Sequence, residues 1–201
     1  GKRPVIAIAG NHDSPDRVEA PDPLARECGI LFAGYPHSTP VPFALESGLR
    51  LTKADEGFME LQLPHNDAPL RVLLTPYANE FRLKTYLGHE ESDQELRTLL
   101  QERWRELADR YCDARGVNLL VSHLFVVKKG GPLPEEPEDE KPILHVGGAQ
   151  AIYTENIPSG IQYTALGHLH RMHQVDHQPC PLCYSGSPIY YSFSEANQKK
   201  Y

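Results

Sequence analysis

Residues 4–13 read PVIAIAGNHD, an apolar run that stops at Gly10 and continues into an amide, an imidazole and a carboxylate side by side. The β-branched run predicts a strand that is buried on both faces. Two later apolar segments end in a similar way, LLVSH at 119–123 and YTALGHLH at 163–170. Because ligands of α/β sheets bind beyond the carboxyl ends of the strands, these three endings predict one shared site.

Strand patterns alternate with helical patterns along the chain, which predicts an α/β fold. Strands are predicted at 4–10, 30–35, 41–45, 57–63, 70–77, 117–125 and 161–167, and a strand, a turn and a second short strand at 183–195. A short helix is predicted to end near Gly29, and a long one to run from a capping box at Ser92 to a stop at Gly116. Residues 130–142, rich in proline and acids, are predicted to form an exposed loop.

Composition limits the class of protein. The 201 residues, 40% hydrophobic and 23% charged, predict one soluble globular domain. No apolar run reaches the roughly 20 residues needed to span a membrane, and no leader precedes the first strand, so we expect no membrane contact. Four cysteines without a secretion signal predict reduced thiols in a cytoplasmic protein. The net charge of −7 argues against a basic nucleic-acid surface, so a phosphate substrate would need a local positive centre such as a metal ion.

Four side chains in the three motifs are candidate metal ligands: Asn11, His123, His168 and His170. Imidazole suits Mn, Fe, Ni or Zn ions, and an asparagine carbonyl is an acceptable hard donor. In an extended strand His168 and His170 would share one face, whereas a turn after Gly167 would let them reach two neighbouring ions. Each motif alone has an ordinary explanation, GNHD as a turn and His123 as a hydrogen-bonded surface residue. Their succession, each after a buried strand, favours a site.

GNHD at 10–13, a strand that ends in His123 and GHLH at 167–170 together resemble the calcineurin-like metallophosphoesterase family. The text TALGHLHRMHQV at 164–175, followed by YSGSPIYYSFSE at 184–195, is most similar to the branch of this family that contains the nuclease subunits of DNA break-repair complexes. The resemblance implies a β-sandwich flanked by helices in four αββα layers, incomplete at its N-terminus. Residues 1–196 would form a partial nuclease domain, and residues 197–201 would begin a linker.

The resemblance also implies two divalent ions in the intact protein, with manganese as the expected metal. Asn11, His123 and His168 would hold one ion, and His170 would belong to the other. His12 would face the scissile phosphate as a catalytic residue, and Asp13 would orient His12. The implied partners are DNA, an ATPase subunit and a second copy of the nuclease subunit.

The chain departs from the family pattern at its start. The family places a D-x-H motif and a G-D motif before GNHD, and neither fits because GNHD begins at Gly10. We therefore expect at most one weakly bound metal ion and little or no nuclease activity from this chain alone. The family's DNA-capping domain and ATPase-binding helices are expected to be absent, and self-association to cover an exposed edge is a further hypothesis.

Two segments near the end of the chain each permit two interpretations. Four residues are candidate phosphate contacts: Arg171, Tyr184, Ser185 and Ser187, although a tight turn around Gly186 would explain YSGSP equally well. Cys180 and Cys183, preceded by His173 and His177, permit a zinc site, but a hairpin with incidental thiols is favoured. Two other functions stay open: a phosphodiesterase for small substrates, and a non-catalytic scaffold that binds zinc or a partner.

Overall fold

The structure is a computed structural model that describes residues 3–78, 93–132, 151–197 and 199–200. The strands in these segments are β1 (Val5–Ile8), β2 (Ile30–Ala33), β3 (Phe43–Ala44), β4 (Arg50–Asp55), β5 (Phe58–Gln62), β6 (Leu70–Thr75), β7 (Val117–Ser122), β8 (Val126–Val127), β9 (Ile152–Tyr153), β10 (Tyr163–Leu166), β11 (His173–Asp176) and β12 (Leu182–Tyr184). The helices are α1 (Pro15–Glu19), α2 (Asp22–Ala25) and α3 (Asp93–Tyr111), and 3-10 turns lie at Arg26–Cys28, Thr154–Asn156 and Phe193–Glu195. The predicted α/β class is confirmed.

One large sheet organises the described residues. Its eight strands follow the order β11-β12-β10-β7-β6-β5-β4-β3, in which β12, β10, β7 and β6 run parallel and the outer strands are antiparallel to their neighbours. β1 and β2 form a separate parallel pair, and β8 pairs with β9. No helix in the described segments is long and apolar enough to cross a membrane.

Both faces of the large sheet are covered. Alternating side chains of β5 and β6 point to opposite faces, as strand geometry requires. Met59 and Val72 pack on one face with Leu31 of β2, whereas Phe58 and Leu73 pack on the other with Trp104 of α3. The β1–β2 pair therefore stacks on the large sheet and α3 covers the opposite face, so the predicted sandwich is confirmed. The short helices α1 and α2 contact β2.

Several predicted elements need correction. β1 is not buried on both faces, since Val5 is 52% exposed, because the two-stranded sheet packs against its neighbour on one side only. β4 and β11 were not predicted, since their polar residues lack the apolar pattern of the central strands. The second short strand predicted within 183–195 is instead the 3-10 turn Phe193–Glu195.

The ends of the helical segments are mostly as predicted. The first helical region ends at Gly29, which adopts the left-handed backbone (φ 76°) that glycine tolerates best. α3 ends at Tyr111, five residues before the predicted stop at Gly116. The predicted cap at Ser92 and most of the predicted acidic loop at 130–142 lie outside the described residues.

A buried ion-pair network joins the sheet to the segment after α3. Arg71 on β6 is only 5% exposed, and its guanidinium donates to Glu60 at 2.9 Å and to Asp113 at 2.6 Å. Burial alone would raise the pKa of Glu60, but hydrogen bonds from Arg71, Lys53 and Thr52 hold this pKa below its usual value. Hydrogen bonds from Arg71 and then Arg115 hold the pKa of Asp113 well below its usual range.

We expect Arg71→Met to lower the free energy of unfolding by about 3–5 kcal/mol, because it leaves the buried carboxylate of Glu60 without its closest cation. The matched control is Arg115→Met, which removes the other cation of Asp113 from a side chain that is 87% exposed and should cost about 1 kcal/mol or less. Urea unfolding at pH 7 measures both values. Equal losses in the two variants would contradict the role assigned to burial.

Candidate metal centre at the edge of the sheets

Three neighbouring strands of the large sheet end at the same level. Ser122, the last residue of β7, pairs with Thr75 of β6 on one side and with Leu166 of β10 on the other. The next residues along the chain, His123 and Gly167, therefore leave the sheet side by side. This register explains how motifs 44 residues apart, at 123 and 167, reach one edge.

The GNHD turn reaches this edge from the other sheet. The N–H of Tyr77, just beyond β6, donates to the carbonyl of Ala9 at 2.8 Å and so connects the ends of the two sheets. Asn11 follows, and its Oδ1 lies 3.0 Å from Nε2 of His123. Asp13 closes the turn, because its carboxylate accepts a hydrogen bond from the Gly10 N–H at 2.7 Å. That contact gives Asp13 a structural role, and its predicted action on His12 stays a prediction.

His123 and His168 are direct neighbours. Their ring centroids lie 5.3 Å apart, and both rings pack against Tyr77, at 6.2 and 6.3 Å. Burial, assisted by the nearby imidazole of His168, lowers the pKa of His123 to about 4. His123 is therefore neutral at pH 7 and keeps a lone pair with which it can bind a metal ion.

The backbone at His168 is strained. Its φ of 113° is rare for any residue other than glycine, and such conformations cost of order 1–3 kcal/mol. The residue is nevertheless buried, since only 8% of its surface is exposed. Strained residues of this kind cluster at functional sites, where the surrounding structure maintains them.

Two glycines make room for the imidazole of His123. A Cβ at Gly10 would lie 2.7 Å from Cε1 of His123, and a Cβ at Gly167 would lie 2.9 Å from Nδ1. Neither distance is possible without displacing the ring. The glycines of the GNHD and GHLH motifs therefore admit the histidine of the third motif.

His170 is held differently, through its backbone. Its carbonyl accepts hydrogen bonds from the N–H of Ser187 at 3.0 Å and from the ammonium of Lys200 at 2.9 Å. Gly186 (φ 75°) packs so closely that a Cβ there would lie 2.8 Å from the same carbonyl. The His170 ring packs against Tyr191, with centroids 5.0 Å apart. The YSGSP segment therefore braces the residue that ends the GHLH motif.

This arrangement leaves part of the predicted phosphate-binding set without structural support. Tyr184 is completely buried, and its hydroxyl donates to the carbonyl of Leu124 at 2.7 Å and accepts from the N–H of Val126 at 2.6 Å. It is a core residue that fixes the loop after β7, so the structure does not support its predicted contact with a phosphate, which stays a prediction. Ser187 is 8% exposed. Its hydroxyl already donates to the His170 carbonyl at 3.3 Å and accepts a hydrogen bond from the Lys200 ammonium at 2.8 Å. Arg171 and Ser185 are exposed, and their contact with substrate stays a prediction.

Cys180 and Cys183 lie in different surroundings, so the structure adds no support to the zinc interpretation, which stays a prediction. Cys180 is buried in the core with its sulfur 3.4 Å from the Thr164 hydroxyl, and burial raises the pKa of its thiol. Cys183 lies between two core residues of β12, so its side chain points to the opposite face. β11 and β12 form the hairpin that the favoured alternative expects. Within the described segments, no three His, Cys, Asp or Glu side chains form a group that could hold a metal ion.

Sequence analysis missed two charged residues near His170. Glu195 is completely buried, and Lys200, assigned to a linker, forms an ion pair with it at 2.5 Å. Neither residue belongs to a periodic pattern or to the quoted strand-end motifs. The surrounding stretch, SFSEANQKKY at 192–201, is polar and gives no signal that these two residues are buried.

Comparison with known proteins finds relatives of this chain. The chain is 35% identical over 205 aligned residues to the SbcD subunit of the SbcCD nuclease from Bacillus subtilis (strain 168), and the alignment covers 100% of this chain and 46% of the relative. This chain is homologous to the SbcD nuclease subunits. The SbcD proteins of Rhodobacter capsulatus and Staphylococcus epidermidis are 29% and 25% identical, with 95% and 99% of this chain covered. In each case the chain spans less than half of the SbcD relative.

Comparisons with protein-family models and with solved structures give no further information about the site. No protein-family model matches the chain. A solved structure described as a 5′-nucleotidase of Staphylococcus aureus aligns with 91% of this chain and 32% of its own, at 16% identity and a TM-score of 0.40. At that level of similarity, the alignment supports no argument about this site.

We expect Gly10→Ala to displace the His123 ring, because the added methyl group would meet it at 2.7 Å. Such overpacking typically costs about 1–3 kcal/mol. The control is Gly160→Ala, where a Cβ meets no atom within 4 Å. The imidazole ¹⁵N and ¹H shifts of His123 report the displacement. Unchanged His123 shifts in Gly10→Ala would show that the close fit is not real.

Proposed function

We propose that this chain is part of a metal-dependent nuclease subunit that hydrolyses phosphodiester bonds at DNA ends during break processing and recombination. The observation that supports this most is the meeting of Asn11, His123 and His168 at one edge, where a turn from one sheet meets strand ends of the other. Homology to the SbcD proteins gives this donor group its chemistry.

The donor types of Asn11, His123 and His168 suit a divalent cation. The Asn11 oxygen and the His123 nitrogen are separated by 3.0 Å. An amide oxygen with neutral imidazoles suits manganese or iron, and manganese is the proposed metal. The set lacks a carboxylate, so we propose at most one weakly held ion in this chain and little or no hydrolysis by it alone.

The remaining residues act around that centre. A bound ion would supply an activated water and would stabilise the charge of the phosphoryl group under attack. His12 is proposed to protonate a leaving oxygen, and its exposure next to Asn11, close enough to influence the pKa of His123, supports this role. Asp13 keeps the turn closed. His170 is proposed as a ligand of a second ion in the intact protein.

The proposed partners follow from the same homology. They are DNA, an SbcC-type ATPase and, in the intact protein, a second nuclease subunit. With a net charge of −7, the chain has no general affinity for phosphates, so local cations such as the exposed Arg171 must meet the backbone of DNA.

Manganese binding by this chain tests the centre. We expect one weak Mn²⁺ site, reported by paramagnetic broadening of the His123 and His168 imidazole signals, and we expect His123→Ala to abolish the broadening at His168. The control His177→Ala removes an exposed imidazole on the β11–β12 hairpin and should leave it unchanged. Broadening that survives His123→Ala would contradict the ligand assignment, and two tightly bound ions would contradict the predicted weakness.

Nuclease activity is tested in a polypeptide that extends this chain to the length of its relatives. We expect Mn²⁺-dependent hydrolysis of linear DNA, and a fall in kcat of about 10²–10⁴-fold in His12→Gln, because the proton donor is lost. His177→Gln is the matched control and should retain full activity. Hydrolysis of small phosphodiesters without DNA cleavage would favour the small-substrate enzyme, and metal binding without any hydrolysis would favour the scaffold.

A further inference from the structure

Glu195 is a buried carboxylate beside the candidate centre. The residue is 0% exposed, and its two oxygens face different partners: Oε1 lies 3.5 Å from Nδ1 of His170, and Oε2 lies 2.5 Å from Nζ of Lys200. Removing a carboxylate from water costs several kcal/mol, and an apolar replacement of a buried ion pair is often as stable. Stability alone therefore does not explain why a carboxylate occupies this position.

Lys200 contacts both the Glu195 carboxylate and the backbone of His170. Its side chain is 9% exposed, and its ammonium donates to the His170 carbonyl at 2.9 Å and to the Ser187 hydroxyl at 2.8 Å. The lysine thus compensates the charge of Glu195 and at the same time fixes the backbone that carries the imidazole. Glu195 and Lys200 therefore help to hold His170 in position.

The two nitrogens of the His170 ring are distinguished by the burial of Nδ1 beside Glu195. Nδ1 has essentially no solvent access, whereas the side chain as a whole is 26% exposed. The exposed surface of this side chain therefore belongs to atoms other than Nδ1. A carboxylate next to Nδ1 favours the tautomer that carries its proton there, and this tautomer leaves the lone pair on Nε2.

We propose that Glu195 is a positioning residue that holds His170 in the Nδ1–H tautomer with Nε2 directed to the site, and that Lys200 supplies the counter-charge. The inference rests on the proposed function, in which His170 is a metal ligand. It adds that the ligand depends on a carboxylate 25 residues further along the chain.

The tautomer itself is the test, measured by long-range ¹H–¹⁵N correlation in the metal-free chain. We expect His170 to be the Nδ1–H form in the unmodified protein and to lose that form in Glu195→Gln, which keeps the shape but removes the charge. Lys200→Met should lower the melting temperature and leave the tautomer unchanged, because the carboxylate still faces Nδ1. Glu155→Gln, at an exposed carboxylate 4.0 Å from Lys129, is the control and should change neither.

Each outcome decides the proposal. An Nε2–H form of His170 in the unmodified protein would overturn it, even if the Glu195 variants fail to fold. An unchanged tautomer in folded Glu195→Gln, or equal changes in Glu195→Gln and Lys200→Met, would reduce the pair to a structural ion pair. Where the tautomer shifts as expected, Glu195→Gln in the extended polypeptide should bind Mn²⁺ about 10- to 100-fold more weakly. The measurement needs neither metal nor DNA, so its failure is distinct from failure of the nuclease proposal.

Discussion

The hydrogen bond from the Tyr77 N–H to the Ala9 carbonyl, 2.8 Å long, is the constraint on which the candidate centre depends. Ala9 ends one sheet and Tyr77 follows the end of a strand in the other. The bond therefore places the GNHD turn directly over the edge where His123 and His168 emerge. The aromatic ring of the same tyrosine packs against both imidazoles. Tyr77 therefore fixes the GNHD turn through its backbone and contacts the two histidine rings through its side chain.

The convergence of the strand-end motifs could be predicted from sequence because it follows from backbone register. Apolar runs predicted β6, β7 and β10 as strands of an α/β sheet, and the structure shows them parallel and paired residue for residue, so they end together. The same logic failed where the local pattern carried no information about neighbours. β1 has the composition of a strand buried on both faces, yet Val5 at its start is 52% exposed, because the layers that pack on a sheet, and not the composition of a strand, decide how many of its faces are buried.

The residues that hold the site in place, Tyr184, Glu195 and Lys200, could not be predicted because the sequence does not show which polar side chains are buried. Tyr184 carries a hydroxyl in a segment with the residues of a phosphate-binding loop, and only the three-dimensional structure shows that the hydroxyl is used inside the core. Glu195 and Lys200 are charged residues near the end of the sequence, where exposure is the usual expectation. Their burial depends on a chain reversal toward His170 that no periodic pattern encodes.

The two groups of candidate ligands are consequently held by different physics. His123 and His168 leave hydrogen-bonded strands, and glycine backbones enclose the ring of His123, so their positions are set by the sheet itself. His170 lies beyond the sheet ladder and takes its position from Ser187, Glu195 and Lys200, whose contacts are one backbone hydrogen bond from Ser187 together with side-chain hydrogen bonds and ion pairs. Sheet registers change only when the fold does, whereas contacts of this second kind respond to single substitutions. Any adjustment of the centre, in geometry or in affinity, is therefore easiest on the side of His170.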